Sequence, residues 1–294
     1  MKNVILVDFH NLAFRTFFVK DVGATTVNPD FQLWKYMTFN SIYQALWKVD
    51  YVNEVIVAVD SRNTWRKLLF NRYKESRKIK RDKSEVDWNI LFNVLENYID
   101  EMRKCLPFKV LKVSRCEADD IIGVICLQGK DEYTVISNDE DYLQLSSPTV
   151  KIYNPSKKEY VKCDDTERFI VEKSLRGQSK DDIFNIKTPS DWGLTKESKG
   201  KRKPGFGPKA VEKVMKGDYK QWLKDNKLEK NFKRNRALID FNYIPKLISN
   251  TIMEKYNNYS LPDPSNIYKF IKGNNFRGFL DEFQKTEDKL KELY

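Results

Sequence analysis

The 294-residue chain carries 53 Lys and Arg against 42 Asp and Glu, a net charge of +11. That length and an apolar share of 40 % allow a sizeable core and exclude a wholly disordered chain, while no apolar run approaches the ~20 residues a bilayer span needs. One histidine, His10, and four cysteines without a CxxC pair exclude His-rich metal sites, zinc ribbons and dithiol redox motifs.

The excess positive charge points to a polyanionic partner, because phosphates neutralised by Lys and Arg release their counterions. Charge alone does not separate nucleic acid from acidic lipid. No secretory leader pattern precedes the first strand, so a soluble, cytoplasmic chain with reduced thiols is expected, without membrane attachment.

In chain order, "NVILVDF" (3–9), "EVIVAVDS" (54–61) and "EYTVISND" (132–139) are short apolar runs that each end on an Asp. They read as buried strands of a parallel sheet, whose carboxyl ends are where open α/β folds place their sites. Asp8, Asp60 and Asp139 would then share one rim. Helical spacing fills 31–49, 84–106 and 117–129, and the alternation predicts a doubly wound α/β core. From 153 the pattern predicts a short hairpin and a helix, after which the chain reads mainly helical. A Gly-, Pro-, Ser- and Lys-rich loop interrupts it at 195–207.

The acids cluster by position, since "CEADD" (116–120) at a helix start and "SNDEDY" (137–142) join the strand-end aspartates. Carboxylate oxygens suit hard cations such as Mg²⁺ or Mn²⁺, and gathered carboxylates lose their mutual repulsion when a cation sits among them. For "CEADD" a plain helix cap is the competing reading. Asp139 and Asp141, two apart, would face one way on an extended backbone, leaving Glu140 as a bystander.

The segment 61–81 holds nine Lys or Arg against one Glu, interleaved with Trp65, Phe70 and Tyr73. It suits phosphates and unpaired bases, although a solvated basic helix has the same composition. "GFGPKA" (205–210) fits the loose GxGxxA pattern but follows no apolar strand, so it is not a dinucleotide fingerprint. Glycines leading into a helix can instead offer backbone N–H groups to a phosphate, with Lys209 adding charge; a simple Gly-Pro turn is the alternative.

With "VDF", "VAVDS", "RYKESR", "CEADD", "SNDEDY" and "GFGPKA" in this order, most of the chain resembles the 5′ nuclease superfamily of flap endonucleases and polymerase-linked 5′ nucleases. "LIDFNYIP" and "YNNYSLP" resemble most the ribonuclease H enzymes of T-even bacteriophages. The resemblance implies a PIN-like parallel-sheet core at 1–164 with a helical arch at 61–106. A mainly helical DNA-binding domain would follow at 165–294, with a helix-hairpin-helix motif near 203–217.

It further implies a monomeric 5′ to 3′ exonuclease and flap endonuclease with ribonuclease H activity, acting on branched or RNA-primed duplex DNA with a 5′ end or flap. Such an enzyme removes RNA primers in lagging-strand replication, beside a single-stranded-DNA-binding protein and a sliding clamp. Two Mg²⁺, or Mn²⁺ in their place, would lie among Asp8, Asp60, Glu117, Asp119, Asp139 and Asp141, with Asp120 further out. Arg66, Lys74 and Arg77 would contact phosphate, Arg66 and Lys74 also at the scissile group. Tyr73, Gly205, Gly207 and Lys209 complete the expected nucleic-acid contacts, with K⁺ at the helix-hairpin-helix.

One departure stands out. Related phage enzymes carry a Gly-Asp-x-x-Asp-Asn-like segment, whereas "RGQSKDDI" (176–183) has Gln178 at the first acid and Asp182 at the Asn place. A weaker second metal site completed by Asp141, Asp181 and waters is therefore expected. A PIN-like ribonuclease acting on structured RNA and a non-catalytic DNA-binding protein are the competing functions.

Overall fold

The computed structural model describes residues 1–19 and 29–294. Strand β1 (Asn3–Asp8) runs directly into helix α1 (Phe9–Phe17), because Asp8 ends the one and caps the other, accepting from the Asn11 N–H at 3.1 Å. Asp30 likewise caps α2 (Phe31–Ala45), whose buried Trp34, Thr38, Phe39, Ile42 and Tyr43 repeat at helical spacing. All six residues of β2 (Glu54–Val59) are buried, as expected of a strand with neighbours on both sides.

The basic segment forms two short helices, α3 (Arg66–Leu69) and α4 (Glu75–Asp82). They are followed by α5 (Trp88–Cys105), β3 (Phe108–Lys112), α6 (Ala118–Gln128), β4 (Glu132–Ile136), β5 (Val150–Asn154) and β6 (Glu159–Val161). The remainder is helical: α7 (Thr166–Arg176), α8 (Pro208–Met215), α9 (Tyr219–Asp225), α10 (Glu229–Ile239), α11 (Lys246–Asn257), α12 (Asn266–Gly273), α13 (Arg277–Asp281) and α14 (Phe283–Lys291). Among the described residues no helix is long and apolar enough to cross a membrane.

The six strands form one sheet in the order β3-β2-β1-β4-β5-β6, parallel except for β6 against β5. From β1 the chain steps outward to β2 and β3, then returns to the other side of β1 as β4. That reversal is the topological switch point, where the carboxyl ends of parallel strands leave a crevice. In register, Asp8 lies beside Ala58 and Val7 beside Ile136. The α/β core therefore stands: β1, β2 and β4 are the three expected strands, β5 and β6 make the antiparallel hairpin, and β3, directly after a helix, is the one strand not expected.

The chain divides into two compact units. The first comprises Met1–Arg62, Ser84–Lys162 and Lys246–Tyr294, and the second Asn63–Lys83 with Cys163–Pro245. The expected division at 164 and 165 is corrected at two places. Phe70 and Tyr73 of the basic segment share an apolar cluster with Ile183, Phe184, Leu238 and Ile239, so that segment belongs to the second unit. Ile267, Phe270, Phe276 and Leu290 of the tail pack in the core that holds β1, β2 and α5, which returns the tail to the first. The expected arch also ends early, since Leu91, Leu95, Tyr98 and Ile99 bury one face of α5 in that core.

Candidate active site and nucleic-acid contacts

Three adjacent parallel strands, β2, β1 and β4, bring Asp60, Asp8 and Asp139 to one rim of the first unit. Asp8 is half-buried; its Oδ1 accepts from Asn11 N–H and its Oδ2 from the Tyr142 hydroxyl at 3.0 Å. Burial pushes its carboxyl up to about 7, with the charge of Asp60 next and that of Asp139 adding; the two hydrogen bonds pull only partly back. Tyr142, 1 % exposed, is held well above the usual phenol range by burial and then by Asp8, Asp119 and Asp139. It remains a protonated donor among carboxylates.

The start of α6 docks on the same rim. Its Ala118 N–H donates to Asp60 Oδ1 at 2.7 Å, and the Asp60 N–H donates to His10 Nδ1 at 3.2 Å. Glu117 and Asp120 form a reciprocal capping box, with the fully buried Asp120 carboxylate accepting from Glu117 N–H at 2.9 Å. In "CEADD" Glu117 and Asp120 thus both serve the helix end, and Asp119 adds its charge near Tyr142.

Asp139 caps a 3-10 turn over Glu140–Leu145, its carboxylate accepting from Asp141 N–H at 2.9 Å. The backbone there is helical rather than extended, so strand alternation does not set Glu140 aside. Glu140 is nevertheless exposed, while Asp139 and Asp141 are half-buried. Asp8, Asp60, Asp119 and Asp139 share one electrostatic field. Among the described residues, however, no three His, Cys, Asp or Glu side chains close into a ligand shell. The all-oxygen donor set and the raised Asp8 carboxyl fit a hard divalent cation, whose charge opposes the burial and repulsion that raise Asp8.

Three expected site residues in the second unit are buried and engaged inside the protein. Arg66 is 1 % exposed and its Nε donates to the Leu238 carbonyl at 2.9 Å, so it anchors α3. Tyr73 is 3 % exposed within an apolar cluster and offers no stacking face. Asp181, 4 % exposed, accepts from Arg77 Nη2 at 2.6 Å and lies 3.8 Å from Lys74 Nζ, so its carboxylate is occupied by cations of the basic segment.

Asp181 and Asp182 clamp the start of α4. The Lys74 N–H donates to the Asp181 carbonyl at 2.9 Å and the Ser76 N–H to Asp182 Oδ2 at 2.7 Å. Lys74 and Asp182 both sit in the left-handed region, at φ 55° and 56°, which lets each chain turn sharply at the junction. Gln178 exchanges two backbone hydrogen bonds with Ile183 and closes the same turn. Arg77 remains exposed beside its carboxylate partner, and Lys74 is half-buried.

Gly207 caps α8, with Pro208 at its first position, and Lys209 is exposed. A Cβ added at Gly205 or Gly207 would meet nothing within 4 Å, so no packing inside the chain demands glycine at either place. Tyr142 and His10 were given no role by the sequence reading. Tyr142 lies inside the acidic string "SNDEDY", and His10 two residues past a strand-end Asp, which is the only local signal either carries.

Residues 3–174 match the family described as 5′-3′ exonuclease, N-terminal resolvase-like domain, and residues 165–284 match T4 RNase H, C terminal. The chain belongs to the 5′-3′ exonuclease family of nucleases and carries the ribonuclease H type of C-terminal region. Ribonuclease H of Enterobacteria phage T4 is 30 % identical over 282 residues, covering 92 % of this chain and 91 % of that protein. In fold, the chain is similar to the T5 5′-exonuclease with zinc bound, at a TM-score of 0.60 and 18 % identity over 93 % of this chain and 98 % of that one. It is also similar to a bacteriophage T5 flap endonuclease complexed with DNA and metal ions, at 0.58 and 19 %, with the same coverage.

Proposed function

We propose that this nuclease is a Mg²⁺-dependent 5′ to 3′ exonuclease and flap endonuclease with ribonuclease H activity, acting on RNA-primed or flapped duplex DNA such as lagging-strand synthesis produces. The observation that carries this reading is the gathering of Asp8, Asp60 and Asp139 on one rim, with Asp8 pushed up to about 7 by burial and by its acidic neighbours. Asp8, Asp60, Asp119 and Asp139 would hold divalent cation, with Glu117 and Asp141 completing a two-ion set. Bound there, the metal supplies an activated water and charge stabilisation at the phosphodiester.

The protein's own groups have separable tasks. Tyr142 and Asn11 orient the Asp8 carboxylate, while the start of α6 holds Asp60. In the second unit, Lys74 and Arg77 present positive charge to the nucleic-acid backbone from a fixed turn. The unobstructed space at Gly205 and Gly207 suits close approach of a phosphate to backbone N–H groups beside Lys209.

The test is cleavage of 5′-labelled RNA-primed and flapped duplexes in Mg²⁺ and in EDTA. The expected result is Mg²⁺-dependent release of short 5′-end products, abolished by Asp139→Asn combined with Asp60→Asn while duplex binding survives. Cleavage that persists in EDTA, or in the double variant, would overturn the reading.

A further inference from the structure

The second unit gathers cations as the first gathers acids. Phe184 follows the clamped turn, is 4 % exposed, and stands edge-on to Phe70 with ring centroids 5.5 Å apart. Lys203 Nζ lies 4.0 Å from the Phe184 centroid and the Arg72 guanidinium carbon 5.2 Å from it, while the Arg234 guanidinium carbon lies 5.1 Å from that of Phe70. Three positive groups from separate stretches of chain therefore share one pair of rings.

Their negative partners are few. Arg72 pairs with the exposed Glu75 at 3.0 Å and also donates to the Trp192 carbonyl. Among the described residues neither Lys203 nor Arg234 forms an ion pair; Arg234 is satisfied by neutral acceptors, the Ser190 hydroxyl at 2.8 Å and the Phe184 carbonyl at 3.3 Å. Desolvation and then the Arg72 charge lower the Lys203 ammonium from its ordinary value, against the opposing charges of Asp182 and Glu75, and burial pushes Arg234 down to about 10. Ring faces offset part of that electrostatic cost, since a cation over an aromatic face gains about 0.5–2 kcal/mol. An anion offsets more.

We infer that Arg72 and Lys203 form a phosphodiester-binding subsite, in which one backbone phosphate of the nucleic acid is taken between the guanidinium and the ammonium. Phe184 sets the spacing of the pair, and Arg234 adds field from behind. Lys203 is exposed and, among the described residues, forms no direct ion pair, although the charges of Asp182 and Glu75 reach it, whereas Arg72 keeps one face on Glu75. The Asp182 cap on Ser76 and the Arg72 bond to Trp192 fix the 70–77 turn against the stretch of chain that precedes the Lys203 loop. This inference rests on the nucleic-acid reading above and names a contact that reading did not assign.

The experiment measures anisotropy of a fluorescein-labelled flapped DNA duplex against salt, in EDTA, with the full chain. Wild type, Lys203→Gln, Lys203→Arg and a control, Lys285→Gln, are compared, and their melting curves establish that each is folded. Loss of one phosphate contact is expected to reduce the slope of log affinity against log salt by about 0.9 and to weaken binding on the order of fivefold at moderate salt. Lys203→Arg should restore both.

An unchanged slope in Lys203→Gln, or a loss equal to that of Lys285→Gln, would overturn the subsite. Mg²⁺-dependent cleavage of the same duplex is measured in parallel. Absence of cleavage with the slope difference intact would sink the nuclease reading and leave the subsite standing.

Discussion

The Tyr142 hydroxyl donates to Asp8 Oδ2 at 3.0 Å, joining a buried phenol to a carboxyl that burial and two acidic neighbours push up to about 7. This bond favours the ionised form of Asp8, and with Asn11 N–H it opposes the repulsion from Asp60 and Asp139. Tyr142→Phe should therefore leave the fold in place, cost about 1–2 kcal/mol of stability, and shift the acidic limb of the pH-rate profile upward. Chemical denaturation and Mg²⁺-dependent cleavage between pH 5.5 and 8.5 check it; an unmoved limb would deny Tyr142 this task.

The same carboxyl makes metal-free stability depend on pH. Asp8 ordinarily titrates near 3.8, and in the folded chain near 7, so between those values the folded state holds a proton that the unfolded state has lost. Stability contributed by this group is fully present below about pH 4 and is lost as pH rises through 7. In EDTA, the melting temperature of wild type minus that of Asp8→Asn should fall between pH 5 and 7.5, by the equivalent of on the order of 2 kcal/mol. Mg²⁺ at pH 7.5 should raise the wild type and leave the variant nearly unmoved. A difference independent of pH would show that Asp8 ionises like an exposed acid.

Asp181 gives the sharpest separation between holding metal and holding protein. Its carboxylate meets Arg77 at 2.6 Å and Lys74 at 3.8 Å. Asp181→Asn removes the carboxylate that Lys74 and Arg77 share, so the basic turn loosens while the acidic rim is untouched. The expected outcome is a KM raised several-fold with kcat and the Mg²⁺ half-saturation point little changed. A large shift in the Mg²⁺ titration would instead return Asp181 to the ligands, as its place in the sequence suggests. Gln178→Asp provides the matching comparison three residues earlier.

How far the sequence reached depended on whether a residue's surroundings are local. Asp8, Asp60 and Asp139 were legible because a strand end followed by Asp is a short-range pattern, and parallel neighbours put such ends on one rim. The burial of Arg66, Tyr73 and Asp181 was not legible because it depends on partners more than a hundred positions away in Leu238, Ile183 and the basic turn. Charge and composition describe a segment's appetite for phosphate, but not which of its side chains the fold has already engaged. Glu140 was set apart by an alternation the backbone does not have, since Asp139 caps a 3-10 turn. Strand β3 escaped because "FKVLK" follows the end of α5 after two residues and mixes two lysines into its apolar run.

Arg66 offers the converse experiment to Lys203. Its guanidinium is 1 % exposed and bonds the Leu238 carbonyl at the end of α10, so it acts in the fold of the second unit. Arg66→Ala removes a buried charged donor and leaves a buried carbonyl short of a partner, at a cost of about 2–4 kcal/mol. Because no phosphate contact is lost, the salt slope of DNA binding should match wild type at temperatures where the variant is folded. Denaturant titration and the anisotropy series read the two effects separately. A flattened salt slope with unchanged stability would place Arg66 on the nucleic acid, in the role its sequence context first suggests.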